Sequence, residues 1–388
     1  MADQFREVTQ EGWISRLGGA IKGVLGGGVL FLISFPLLWW NEGRAVQTYL
    51  SLQEGREAVV AVKPDPPDPG NDQRLVHLSG LATTTETLSD PLLGVSVQAI
   101  RLSRKAEMFQ WVEDKKSEKR QKLGGSEETV TTYSYEKEWR ENLVASDSFK
   151  DPSDHQNPSS LRVESASWQA SNVRLGGFQL SDQLAAQIGR TESVPVTQEA
   201  IDRLPAELQG EARLHDLGLY IGADPGTPAV GDVRVTFSKV PPADVSIVAQ
   251  QTGNRLGPFQ TRAGDQLEML EAGIVSPDGM FASAEKANTM LTWFLRVLGF
   301  FLMFGGLMLV MRPLRVLADV VPLIGTLAGI GLGLIAFAVA APLSILTIAL
   351  AWIAHRPVVG IGLLILCGAT VLVLAMRVQK RRVSLAPA

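Results

Sequence analysis

Twenty consecutive residues, Ile21–Trp40 (IKGVLGGGVLFLISFPLLWW), carry one charge, Lys22, near their start. At 1.5 Å per residue, a helix of that length crosses the roughly 30 Å of a bilayer's hydrocarbon. The run ends on Trp39 and Trp40 and turns polar at once with Asn41, Glu42, Gly43 and Arg44. Indole rings favour headgroup depth, so Ser34–Val46 (SFPLLWWNEGRAV) predicts a membrane exit in which Asn41, Glu42 and Arg44 are the first residues in water. The apolar core is too long for a secretory leader, and no small-x-small site follows it. An uncleaved anchor is expected.

The carboxyl-terminal region is almost continuously apolar from 290 to 376. It divides into expected spans at 290–311, 331–354 and 358–376, the last two separated by His355, Arg356 and Pro357. Residues 316–329 are apolar but interrupted by Asp319 and Pro322, so 312–330 reads as a loop, interfacial or re-entrant. Lys and Arg beside spans accumulate on the cytoplasmic side. With four spans, the amino-terminal tail 1–20 (Arg6, Arg16), the 312–330 loop (Arg312, Arg315) and the basic tail 377–388 share one side. This predicts both termini in the cytoplasm and residues 41–289 as a domain across the membrane. Gly19, Gly23 and Gly27 recur every four residues, as do Gly325, Gly329 and Gly333. Such rows let helix backbones approach closely, either inside one bundle or between subunits.

Between the spans, NEGRAVQTYLSLQEGREAVV has helical spacing and continues the first helix into water. Lys63–Asp72 (KPDPPDPGND) is a connector, because its prolines lack a donor and restrict their neighbours. Beyond it lie short alternating runs rich in Val, Thr, Tyr and Phe, as in RLVHLSGLA, GDVRVTFSKV and ADVSIVAQQTG. A long hairpin with a Gly-Gly tip is expected around Lys115–Glu128, and short helices at SDQLAAQIG and TQEAIDRLPAEL. The fold class is thus an integral membrane protein with four transmembrane α-helices, one amino-terminal and three carboxyl-terminal, and a large β-rich α+β domain.

Chemical motifs are sparse. The net charge of −4 and the lack of a basic stripe argue against nucleic acid as a partner. Cys367 is the single cysteine, so no intrachain disulfide and no thiol-ligated metal site can form. His77, His155, His215 and His355 have no ligand-like neighbours, and HExxH, GxSxG and Walker A patterns are absent. No catalytic, metal or cofactor residue is expected, and the chain reads as no enzyme. Trp111, Trp139 and Trp168 are candidates to line a ligand pocket, with strand packing as the competing reading. Arg296, Asp319, His355 and Arg356 are the costly residues of the apolar region, and they lie near span ends where water or snorkelling satisfies them.

Several stretches taken in order resemble one family: NEGRAV after the first span, AEMFQWVEDKKSE, TYSYEKEWRENLVASDSF, HQNPSSLRVES, VGDVRVTFSKV with IVAQQTGNRLGPFQTRAGDQL, and WIAHRP before the last span. Together they are similar to the LUMA family (transmembrane protein 43), from about Ser34 to Met376. The resemblance implies four spans, a large domain between the first and second, and an Asp-x-x-Pro stretch at Asp319 and Pro322 before the third. It also implies a role in organising membrane protein complexes in the endoplasmic reticulum and inner nuclear membrane, where lamins and emerin are partners of animal members, with no enzymatic activity established. A composition rich in Ala, Gly, Leu and Arg points to a bacterial member, hence an inner-membrane location with a periplasmic domain and no lamina. The expected function is a non-enzymatic scaffold that contacts membrane lipids, other membrane proteins and copies of itself. The alternative is a membrane-proximal ligand or lipid sensor.

Overall fold

The computed structural model describes residues 3–356. Its α-helices are α1 (Trp13–Ala58), α2 (Asp182–Gln187), α3 (Gln198–Asp202), α4 (Ala206–Gln209), α5 (Pro277–Val310), α6 (Arg312–Ala318) and α7 (Pro322–His355). The chain packs as two units. One holds Ser51–Arg120 and Glu128–Ser283 with the residues up to Thr9; the other holds Gln10–Leu50, Gln121–Glu127 and the chain from Ala284 onward.

The first unit is built from two sheets. In one, the hairpin strands Glu127–Arg140 and Arg101–Gln121 continue through Val233–Val240 to Gly218–Ile221 and Ala212–His215, with Asp3–Glu11 on the hairpin's outer edge. Val235 faces Ala106 across the antiparallel ladder and Phe237 faces Arg104. Alternation turns Leu102, Ala106, Met108, Val233, Val235 and Phe237 inward. The opposite face is wet, and there Glu107 accepts from Lys105 and Arg234, each at 2.8 Å. Its carboxyl is held below the ordinary range by these two cations, against the opposing push of partial burial.

In the second sheet, Leu75–Thr83 runs antiparallel to Ala243–Thr252 with Leu78 opposite Ile247. Every residue from Val245 to Ala249 is buried, so both faces of this strand are covered and its sequence runs apolar without strict alternation. Val76, Leu78, Val245 and Ile247 join the inward residues of the first sheet and Leu175, Phe178 and Leu184 in one core. Ser181 caps α2 by accepting from the Leu184 amide at 3.1 Å, as the sequence predicts. The hairpin turns at Gly124 and Gly125, with φ of +87° and +78°, a conformation that costs glycine little.

Helix boundaries depart from the expected divisions. Residues 1–20 are not a plain tail: Asp3–Glu11 is a strand and α1 already begins at Trp13. Residues 312–330 are not a loop, because α6 fills Arg312–Ala318 and α7 starts at Pro322, placing a proline in its first turn where no amide partner is needed. The expected 331–354 span is therefore the later part of α7, and the domain assigned to 41–289 loses its ends to α1 and α5. Three helices, α1, α5 and α7, are long and apolar enough to cross a membrane among the described residues. The fourth expected span, 358–376, and the basic tail lie outside them.

Two predictions test the β-rich unit. Asp90 is fully buried, takes Arg104 at 2.6 Å, and accepts from the Leu92 and Leu93 amides. Asp90→Ala strands the Arg104 guanidinium under Trp168, and should cost about 3–5 kcal/mol in the chemical unfolding of the detergent-solubilised chain. His77 is buried, and its Nε2–H donates to the Val275 carbonyl at 2.9 Å. Burial holds its pKa below the ordinary histidine value. The unfolded chain takes up the proton first, so stability is full above about pH 6.5 and declines as pH falls towards the folded value. His77→Gln should flatten the fall in unfolding midpoint measured from about pH 8 to about pH 5.

Candidate functional site

The second unit is a helical bundle with buried charge at both ends. Its middle is set by glycine. A Cβ on Gly27 would lie 2.7 Å from the Gly306 carbonyl oxygen, and one on Gly306 would lie 2.6 Å from the Phe31 amide, so α1 and α5 touch backbone to backbone here. Leu38 fills the space over Gly299 and joins Met303 of α5 and Ala340 of α7 in the apolar core.

Beyond Leu38, the helical period carries Asn41, Arg44 and Ala45 along the face that meets Asn288 and Thr292 of α5. Asn41 Nδ2 donates to the Thr292 carbonyl at 3.1 Å, and Arg44 donates to Asn288 Oδ1 at 2.9 Å and to Thr292 Oγ1 at 3.0 Å. Asn288 Nδ2 donates back to the Ala45 carbonyl. One turn further along α5, Arg296 grips Glu42 with two parallel bonds, Nε to Oε1 at 2.7 Å and Nη2 to Oε2 at 2.8 Å. Glu42 is 1% exposed. The fork geometry matches both carboxylate oxygens, which is what lets this charge sit inside a bundle. On the other side of α1, Gly43 makes room for His355, whose Nδ1–H donates to the Ala351 carbonyl at 2.7 Å while its ring meets Trp39 edge-on.

At the opposite end, Arg16 donates to Asp319 Oδ2 at 2.6 Å and to the Gly125 carbonyl at 2.5 Å. Gln121 Nε2 donates to the same Asp319 oxygen at 3.0 Å, Trp13 Nε1 to the Val316 carbonyl at 2.8 Å, and the Gly124 amide to the Val320 carbonyl. Asp319 is 1% exposed. The corner between α6 and α7, the start of α1 and the tip of the long hairpin are thus tied through one carboxylate.

These contacts revise several expectations. Trp39 and Trp40 are 44% and 57% exposed. Asn41 and Glu42 are not the first residues in water: α1 continues past them, and α5 buries both. Arg296 and Oδ2 of Asp319 take protein partners instead of snorkelling. Gln121, Gly124 and Gly125, inside the 41–289 segment, bond directly to Asp319, Val320 and Arg16. Of the glycine rows, Gly27 meets α5, while Gly325 and Gly329 lie against Asp319 and Arg315 at their own corner. Gly19, Gly23 and Gly333 have nothing within 4 Å of an added Cβ among the described residues.

The three candidate pocket rings are taken by separate partners. Trp111 meets His155 edge-on and lies under Lys137; Trp139 packs with Phe109 and lies under Arg234; Trp168 lies under Arg104. Sequence reasoning missed the pairing of Arg16 with Asp319 and of Glu42 with Arg296. The available signal was that Glu42 and Asp319 are acidic residues flanking apolar runs, as Arg16 and Arg296 are basic ones.

Three helices of membrane-crossing length, with buried ion pairs joining α1 to α5 and to the corner before α7, and a two-sheet β-rich unit on the same chain define an integral membrane protein with a large β-rich portion. The profile of the family described as Transmembrane protein 43 matches residues 108–357. Transmembrane protein 43 of Mus musculus is 37% identical over 364 residues, covering 90% of this chain and 88% of that protein. The Homo sapiens protein is 36% identical over 365 residues with the same shares, and the Drosophila melanogaster homolog is 32% identical over 356 residues, covering 89% and 91%. The chain belongs to the transmembrane protein 43 family. No solved structure matches it.

Breaking either half of the Glu42–Arg296 pair leaves a charge with no counter-charge inside the bundle. Glu42→Gln and Arg296→Gln should each lower the unfolding free energy by about 3–5 kcal/mol, with the double variant costing clearly less than the sum. Additive losses in thermal unfolding of the detergent-solubilised variants would show that the pair carries no coupling.

Proposed function

We propose that the chain is a non-catalytic membrane scaffold that organises membrane protein complexes through its β-rich unit and its helix faces, and that it associates with copies of itself. The observation that carries this reading is the division of the first glycine row by the fold. Gly27 is used up against α5, whereas Gly19, Gly23 and Gly26 have no neighbour within 4 Å of an added Cβ among the described residues and lie along α1, at helical spacing, between the exposed side chains of Ile21, Leu25 and Val29. In hydrocarbon, where apolar side chains gain nothing by leaving lipid, a row of this kind favours a second helix because backbones can meet there. The bundle's own polar groups support the same reading, since Glu42, Arg296, Arg16 and Asp319 are spent on each other and fix the helices as a rigid base.

The test is the mass of the full chain in nanodiscs. The wild type should appear as a defined oligomer and Gly23→Leu should shift it towards single chains, while leaving the intrachain contact at Gly27 intact. A wild-type monomer, or an oligomer indifferent to Gly23→Leu, would remove the self-association half of the proposal.

A further inference from the structure

Where α1, α5 and α7 come together beyond Trp39, a cleft of about 160 Å³ opens, lined by Glu42, Tyr49, Thr289, Trp293, Arg296 and Arg356 among others. Its charges do not balance. Both Glu42 oxygens are occupied by Arg296 at 2.7 and 2.8 Å, so that pair is neutral. Arg356 is the surplus. Its guanidinium lies over the faces of Tyr49, at 5.4 Å, and Trp352, at 5.2 Å. Attraction to a ring face consumes none of the five in-plane N–H donors, and the stacked rings hold the fork in place. No carboxylate pairs with Arg356 among the described residues, and residues 357–388 contain no Asp or Glu to supply one. Arg296 keeps Nη1 outside its two bonds to Glu42, and so offers the same cleft a second donor.

We propose that this cleft binds the phosphate of an anionic phospholipid, with Arg356 as its principal ligand. A planar guanidinium matches two phosphate oxygens as it matches a carboxylate. Depth selects the source of the phosphate: Trp39, Trp40 and Trp293 are exposed at this end of the bundle, marking the level where headgroups lie. A net positive cleft favours an anionic headgroup over a zwitterionic one, whose own ammonium would meet Arg356. Free inorganic phosphate shares the recognising chemistry and is separated from the lipid by experiment. The inference does not rest on the scaffold reading, because its readout is lipid retained per chain and not the mass of an assembly.

Delipidated full-length protein is mixed in detergent with phosphatidylglycerol, phosphatidylcholine or inorganic phosphate, and bound species are counted by native mass spectrometry. One phosphatidylglycerol should be retained per chain, about tenfold more tightly than phosphatidylcholine, whose ammonium brings a like charge to Arg356. Arg356→Gln should abolish that preference, and Arg356→Lys, a point charge without the fork, should restore part of it. Should Arg356→Gln not fold, Trp352→Leu removes one of the two stacking faces and should weaken phosphatidylglycerol retention several-fold with phosphatidylcholine unchanged. Equal retention of the two lipids by the wild type, or a phosphatidylglycerol preference that survives the variants, would overturn the proposal. Inorganic phosphate that binds and excludes phosphatidylglycerol would overturn the lipid assignment.

Discussion

An ionised side chain in an apolar helix bundle is tolerated only if its counter-charge is delivered to the same place by another helix, and both ends of this bundle obey that constraint. Glu42 of α1 meets Arg296 of α5, and Arg16 at the start of α1 meets Asp319 after α6. Each bridge fixes a rotation and a height of one helix against another, since displacing either partner by one turn leaves a charge in hydrocarbon. Between them, the backbone contact of Gly27 with Gly306 fixes the distance. The Glu42–Arg296 pair and this close approach determine how α1 lies on α5, and the Arg16–Asp319 pair ties the start of α1 to the corner between α6 and α7.

The same logic recurs in the β-rich unit. Arg104 is one of the inward positions of its strand, where Leu102 and Ala106 are its apolar neighbours, and it is admitted because Asp90 and the Glu164 carbonyl receive it. Asp90 in turn organises its own turn by accepting two backbone amides. A polar contact of this type adds little through its charge alone, because desolvation offsets much of the attraction. Its effect is to penalise every arrangement in which the two strands are out of register.

Function follows from which groups these constraints leave over. Glu42, Arg296, Arg16 and Asp319 are taken by each other, and the features proposed for outside partners are the glycines of α1 left open among the described residues and the Arg356 fork between its two rings. The first is proposed to take another helix, the second a phosphate.

Local sequence determined the apolar helices, the exit tryptophans, the long hairpin with its Gly-Gly turn and the alternation of the sheets, because periodicity, chain length and turn chemistry are properties of neighbouring residues. The family too was legible, from short stretches in fixed order. What local pattern could not determine was where each charge goes. Glu42 and Arg296 are 254 residues apart and Arg16 and Asp319 are 303 apart. Read singly, each sits near the end of an apolar run and is consistent with reaching water. Only the tertiary structure decided otherwise, because whether a helix face looks at lipid, at water or at another helix depends on the crossing point and rotation of the whole bundle, and those are set by side chains far away in the chain.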